Sequence, residues 1–217
     1  MLSKNKYHKG FYQHLIAEFG QREADSLWQE MDALNDELMA AHPEIEPKRA
    51  DMVVPLAAFY KVLRKHYPKA EEKAEETLTE SLADFTDDVT MRLLIAYGTE
   101  YGNRIGNFLH GLTSIPGVSG LVWKKMPAIM HKMGGEEAGY KSEFLSETDE
   151  LCAMNVLSCP LDEALKSLDA EEACLAICAM DKVYLSRLKH IRYTRTTSVA
   201  EGAPYCDYRL KYDKTKR

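Results

Sequence analysis

The sequence predicts an α+β protein. An N-terminal layer of helices covers residues 1–135, and a small, mainly antiparallel four-stranded sheet with a long helix packed on one face covers 136–217. Three observations lead there. Apolar residues in the first part recur at the spacing of helix faces. After Gly135 the period shortens to that of strands. One more helical stretch, 169–188, separates the two strand pairs. The two parts are expected to form one compact domain.

Composition sets the frame. The 217 residues carry 28 Lys+Arg against 34 Asp+Glu, a net charge of −6, with 45% hydrophobic residues. That suits a globular chain with a substantial core and is too apolar for a disordered one. No apolar run approaches the ~18 residues of a membrane span. The basic N-terminus MLSKNKYHKGF is not followed by the apolar core of an export signal, so a cytoplasmic protein is expected. The acidic balance argues against nucleic acid as a partner. A small-molecule substrate is expected, with no membrane partner, and a homo-oligomer is left open.

Leu27, Met31, Leu34 and Leu38 mark one helix face within Phe11–Met39, and Gly20 is placed to divide that stretch. Met52–Tyr67 reads as a second helix, with Pro55 near its start and Pro68 beyond its end. Residues 69–83 are helical by propensity. Asp87-Asp88 offers capping chemistry for a helix over 87–112. There, Gly98, Gly102 and Gly106 stack on one face, as close approach of another backbone or the floor of a ligand site would require. Ser114–Gly120 reads as a loop. Leu121–Met133, with Pro127 inside it, reads as a bent core helix rather than a lid over a pocket.

Strands follow at Tyr140–Thr148 and Leu151–Ser158. A short helix is expected over Leu161–Leu168. A longer one should begin at Asp169, which with Glu172 forms a capping-box spacing, and reach Leu188. His190–Ala200 and Tyr205–Tyr212 read as the last two strands, turning at Glu201–Pro204.

The chain has no HExxH, no paired CxxC, no phosphate-cradling glycine loop and no GxSxG elbow. What remains is a Cys/Asp/Arg set near the C-terminus. All five cysteines lie between Cys152 and Cys206, an odd number in a chain for which no export signal is expected, so buried thiols or chemically active ones are expected rather than a disulfide framework. Cys174, Cys178 and Asp181 share one helix face. On the last strand Cys206, Tyr208, Leu210 and Tyr212 share one face, and Tyr205, Asp207 and Arg209 the other. The first set is the more apolar and is placed against the helix, so Cys206 should approach Cys174 and Cys178, with Asp207 and Arg209 pointing away toward a pocket. The plain alternative is core thiols and a surface ion pair.

These residues resemble the C-terminal signature of the L-2-amino-thiazoline-4-carboxylic acid hydrolase family. The matching positions are Cys159-Pro160, Cys178 with Asp181, Arg195-Thr196, Glu201-Gly202 and Cys206-Asp207-Tyr208-Arg209, within roughly residues 158–211. The resemblance implies cysteine metabolism: hydrolytic opening of a thiazoline ring to N-carbamoyl-L-cysteine. It implies Arg209 or Arg195, with Thr196, as the substrate-binding set, and Asp207 or Asp181 as general base. Cys206 or Cys178 would be a possible nucleophile. No cofactor is assigned. A small-molecule-binding or sensory module, walled by the three glycines, Trp123 and Met130, is the main alternative. A thiolate metal site built from Cys159, Cys174, Cys178 and Cys206 is the lesser one.

Overall fold

A computed structural model describes residues 2, 8–69 and 87–215. The expectation of a helix over 69–83 lies, from residue 70 onward, outside the described residues. The chain divides into two compact units, one of Met1–Tyr97 with Ala164–Ala176, the other of Gly98–Glu163 with Ile177–Arg217.

The first unit is helical. Helices α1 (Lys9–Phe19) and α2 (Gln21–Ala41) are separated at Gly20, whose φ of 80° is cheap only for glycine. Helix α3 spans Pro47–His66 and begins five residues before its expected start. Glu46 caps it, its carboxylate accepting from the backbone N–H groups of Lys48 and Arg49 at 3.2 and 3.1 Å, with Pro47 in the first turn. Pro55 therefore lies inside the helix, in a continuous buried run from Val53 to Phe59. Asp88 caps α4 (Val89–Ser114) as expected, accepting from the Met91 N–H at 3.0 Å. Phe11 stacks on Phe59 with ring centroids 4.1 Å apart, and Tyr97 meets Phe11 edge-on at 5.4 Å.

Helix α6 (Pro160–Ser167) ends in this unit, and its ending overturns the capping box expected at Asp169. Asp169 has φ 49° and donates its N–H to Lys166 O at 3.0 Å, while Ala170 N–H reaches Leu165 O at 2.9 Å. This is the paired hydrogen bonding of a left-handed helix stop, sealed by buried Leu165 and Ala170. Asp169 closes one helix instead of opening the next. Glu172, freed from capping, accepts from Tyr60 and Arg64. Helix α7 then runs Cys174–Ser186.

The second unit holds the sheet. Strands β1 (Lys141–Glu147), β2 (Leu151–Ser158), β3 (Ile191–Thr194) and β4 (Cys206–Tyr212) form one antiparallel sheet in the order β1-β2-β4-β3. Register pairs Val156 with Cys206, Met154 with Tyr208, and Cys152 and Tyr193 with Leu210, so these side chains share a face. Trp123, Met126 and Met130 of α5 (Val118–Gly134) pack against that face. Helix α5 is thus the core helix expected, with Pro127 inside it.

Two boundaries move. The loop expected at 114–120 shrinks to residues 115–117, because Gly117 at φ 84° reverses the chain within one tight turn. Strand β3 stops at Thr194 because the N–H groups of Thr196 and Thr197 turn to the Asp207 carboxylate, each at 2.7 Å, instead of to a neighbouring strand. A single-turn 3-10 helix at Val199–Glu201 replaces the rest of the expected strand. Of the stacked glycines, Gly102 and Gly106 answer to close packing. A Cβ at Gly102 would lie 2.6 Å from Met180 O, and one at Gly106 would lie 2.5 Å from Arg187 Cδ. Helix α7 therefore packs directly on α4 within this unit.

Candidate active site

Four of the expected site residues come together on the α7-facing side of the sheet. Helix α7 supplies Cys178 and Asp181, the loop after β3 supplies Arg195, and β4 supplies Cys206 with Tyr208. The buried Ser198 hydroxyl sits between the two thiols, 3.5 Å from Cys178 Sγ and 3.8 Å from Cys206 Sγ. Cys206 Sγ also accepts the Val199 N–H at 3.2 Å. Burial raises the Cys206 thiol above its ordinary pKa despite that hydrogen bond, so it is a neutral thiol at physiological pH.

A polar chain runs alongside. Arg195 Nη1 donates to the Tyr208 hydroxyl at 3.4 Å, and that hydroxyl donates to Asp181 Oδ2 at 3.0 Å. Arg195 Nη2 points to Cys178 O, also at 3.4 Å, and the guanidinium stands over the Tyr208 ring at 5.7 Å. Both arginine hydrogen bonds are long, which leaves donor capacity for a better acceptor. Burial raises the Asp181 carboxyl above the usual carboxylate range, opposed by the Tyr208 hydrogen bond and the Arg195 charge. Burial likewise holds Tyr184 and Tyr208 far above the ordinary phenol value, so both stay neutral donors.

Tyr193 completes the group. It is 7% exposed, its ring lies 5.7 Å from that of Tyr208, and its hydroxyl is buried without a hydrogen-bond partner. An orphaned buried hydroxyl is costly, and in a polar cluster it is where a ligand group or a water belongs. A raised carboxyl, a half-buried cation with long hydrogen bonds and an unsatisfied phenol therefore converge on one place. That constellation is suited to binding a carboxylate and moving a proton beside it.

Asp207, Thr196 and Arg209 lie elsewhere, on the opposite face of the sheet. Asp207 accepts from the backbone N–H and the hydroxyl of both Thr196 and Thr197, at 2.7–3.1 Å. These hydrogen bonds outweigh its partial burial and hold its carboxyl below the ordinary value. Arg209 donates to Met154 O, Tyr208 O and Asn155 Oδ1 at 2.8–3.0 Å. Both side chains are occupied in shaping the loop and the sheet. The division of β4 into two faces is as expected, but the polar groups with unfilled hydrogen-bonding capacity gather on the thiol face. None of the five cysteines forms a disulfide, and Cys174 belongs to the other unit. Among the described residues no group of three or more His, Cys, Asp or Glu side chains is arranged to hold a metal ion. No helix among them is long and apolar enough to cross a membrane.

The family model of L-2-amino-thiazoline-4-carboxylic acid hydrolase matches residues 48–210, most of the chain. The chain belongs to that family. No curated protein and no solved structure is significantly similar to it. The match to this hydrolase family reaches from the second residue of α3 to Leu210, so it takes in both units and every residue of the cluster.

Sequence reasoning passed over Ser198, Tyr184 and Tyr193. Tyr184 was within reach, since it stands three residues after Asp181 and so on the same helix face. Tyr193 alternates with buried Ile191 on β3, which marks it as inward-facing. Ser198 lies in an irregular loop and carries no spacing signal.

Proposed function

We propose that this member of the L-2-amino-thiazoline-4-carboxylic acid hydrolase family opens the ring of a 2-amino-thiazoline-4-carboxylate by adding water, giving N-carbamoyl-L-cysteine. The observation that carries the reading is the convergence of Asp181, Arg195 and the orphaned Tyr193 hydroxyl on one place. The substrate has a carboxylate, an amidine-like carbon C2 and a sulfur leaving group. Arg195 binds the carboxylate with the donor capacity its 3.4 Å hydrogen bonds leave. Asp181, oriented by the Tyr208 hydroxyl, takes a proton from water as the water oxygen bonds to C2. The C2–S bond then breaks with its electron pair on sulfur, and the two protons of water end on the ring nitrogen and on the sulfur. The raised pKa of Asp181 suits proton abstraction, because the group is a stronger base than an exposed carboxylate. Cys206, a neutral buried thiol, shapes the pocket rather than attacking.

The test is incubation with L-2-amino-thiazoline-4-carboxylate, following N-carbamoyl-cysteine by mass spectrometry. Turnover should fall about a hundredfold or more in Asp181→Asn. The acid limb of the pH profile should lie above the ordinary carboxylate range. Cys206→Ser should keep most of the activity and show no covalent intermediate in intact mass. Turnover lost in Cys206→Ser but retained in Asp181→Asn would replace the water route with a thiol route. Tight substrate binding without product would make the cluster a binding module.

A further inference from the structure

A concave site lies in the sheet-containing unit, formed by His110 of α4, Lys189 and His190 before β3, and Lys214 and Thr215 after β4. It is an open cleft of about 700 Å³, within the size range of small-molecule sites. We propose that it binds a multivalent phosphate-bearing anion, at a place separate from the Arg195 cluster.

Four observations support this. Among the described residues the cleft is lined by two lysines, two histidines and a threonine and by no carboxylate, in a chain whose net charge is −6. The sequence that carries His110 has the same sign. From Tyr101 to Gly135 the sequence has no Asp or Glu but contains Arg104, Lys124, Lys125 and Lys132. The nearest acid in sequence, Asp213, is already engaged, accepting from Arg192 at 2.7 Å and from the Thr215 hydroxyl at 2.6 Å. Finally, His190 stands at φ 62°, and its buried Nδ1 has no hydrogen-bond partner.

The architecture holds the cations in place. Lys189 is fixed at the backbone, its N–H donating to Thr113 Oγ1 at 3.1 Å, and the Asp213 N–H donates to His190 O at 2.8 Å. His110 donates Nδ1–H to Arg187 O at 3.1 Å, which turns its Nε2 away from that carbonyl. The choice of cation indicates the ligand. Planar carboxylates are matched by the arginine fork, whereas lysine and histidine act as separate point charges around a tetrahedral phosphate. No arginine lines the cleft among the described residues. The proposal does not depend on the hydrolase reading.

Isothermal titration of the full chain with inorganic pyrophosphate, at constant ionic strength set with chloride, tests it. Saturable binding is expected, weakened about tenfold or more by Lys189→Glu with Lys214→Glu. Lys189→Arg with Lys214→Arg should restore it. Arg195→Ala should leave it intact. No saturable binding in the millimolar range would overturn the proposal, as would undiminished binding in the double charge reversal. Loss in Arg195→Ala with the lysines present would overturn it too, by moving the anion to the other cluster.

Discussion

Each unit holds a half-buried arginine beside a carboxylate and a phenol, and the two differ in how tightly the set is closed. In the helical unit Arg64 binds both oxygens of Asp88 at 2.9 and 2.7 Å and Glu172 at 2.6 Å, while Tyr60 donates to Glu172 at 3.0 Å. In the sheet-containing unit Arg195 has only 3.4 Å hydrogen bonds, to a phenol and a carbonyl, and burial raises the neighbouring Asp181 carboxyl above its ordinary value. One cation faces two carboxylates and has its fork filled. The other faces none directly and keeps its capacity. A satisfied network stabilises a fold, whereas an unsatisfied one marks the place where a ligand supplies the missing partner.

Exchanging the losses would break this comparison most sharply. Arg64→Ala leaves Asp88 and Glu172 without their shared cation and should cost about 3–5 kcal/mol in urea unfolding. Arg195→Ala should cost far less stability and lose substrate binding instead. Equal destabilisation by the two would end the distinction.

A pH series extends the contrast to the helical unit. His8 is buried against Phe59, hydrogen-bonded to Tyr97, and pushed down to about 4 by burial. The unfolded chain then takes up its proton first, near 6.5, so stability is lost as pH falls from about 6.5 toward 4 and the loss then levels off. The total is about 3 kcal/mol. In His8→Gln this part of the acid slope should vanish, and a slope unchanged from the parent would show that other groups set it.

The smallest effect concerns Asp207, whose hydrogen bonds hold the loop after β3. Asp207→Ala should cost about 2 kcal/mol at neutral pH with turnover little changed. Because the folded-state pKa is lowered, that difference is full above the ordinary carboxylate value and shrinks as pH falls through the depressed one. A large loss of turnover with unchanged stability would bring Asp207 back into the chemistry.

The alternation of β4 is a local rule, so it was legible that Cys206 and Asp207 face opposite ways. It was also legible that Cys178 and Asp181 share a helix face. Which face gathers the unsatisfied polar groups was not. That depends on the Thr196–Thr197 backbone turning onto Asp207, a contact between residues 10 and 11 positions apart that no periodicity announces. The misplaced helix start at Asp169 has the same origin. The spacing to Glu172 fits a capping box, but a left-handed stop and the salt link from Arg64, 108 residues away, take both residues for other work.

By itself, then, the sequence determined the α+β class, the break at Gly20, the cap at Asp88, the two faces of β4 and the family signature. All of these follow from local backbone preference and side-chain period. Only the tertiary structure decided that Ser198 lies between two thiols, that Tyr193 is buried with its hydroxyl unanswered, and that Arg195 rather than Arg209 keeps donors to spare. Those are questions of which polar groups find partners across the fold, and hydrogen-bond satisfaction is a property of three-dimensional neighbours, not of spacing along the chain.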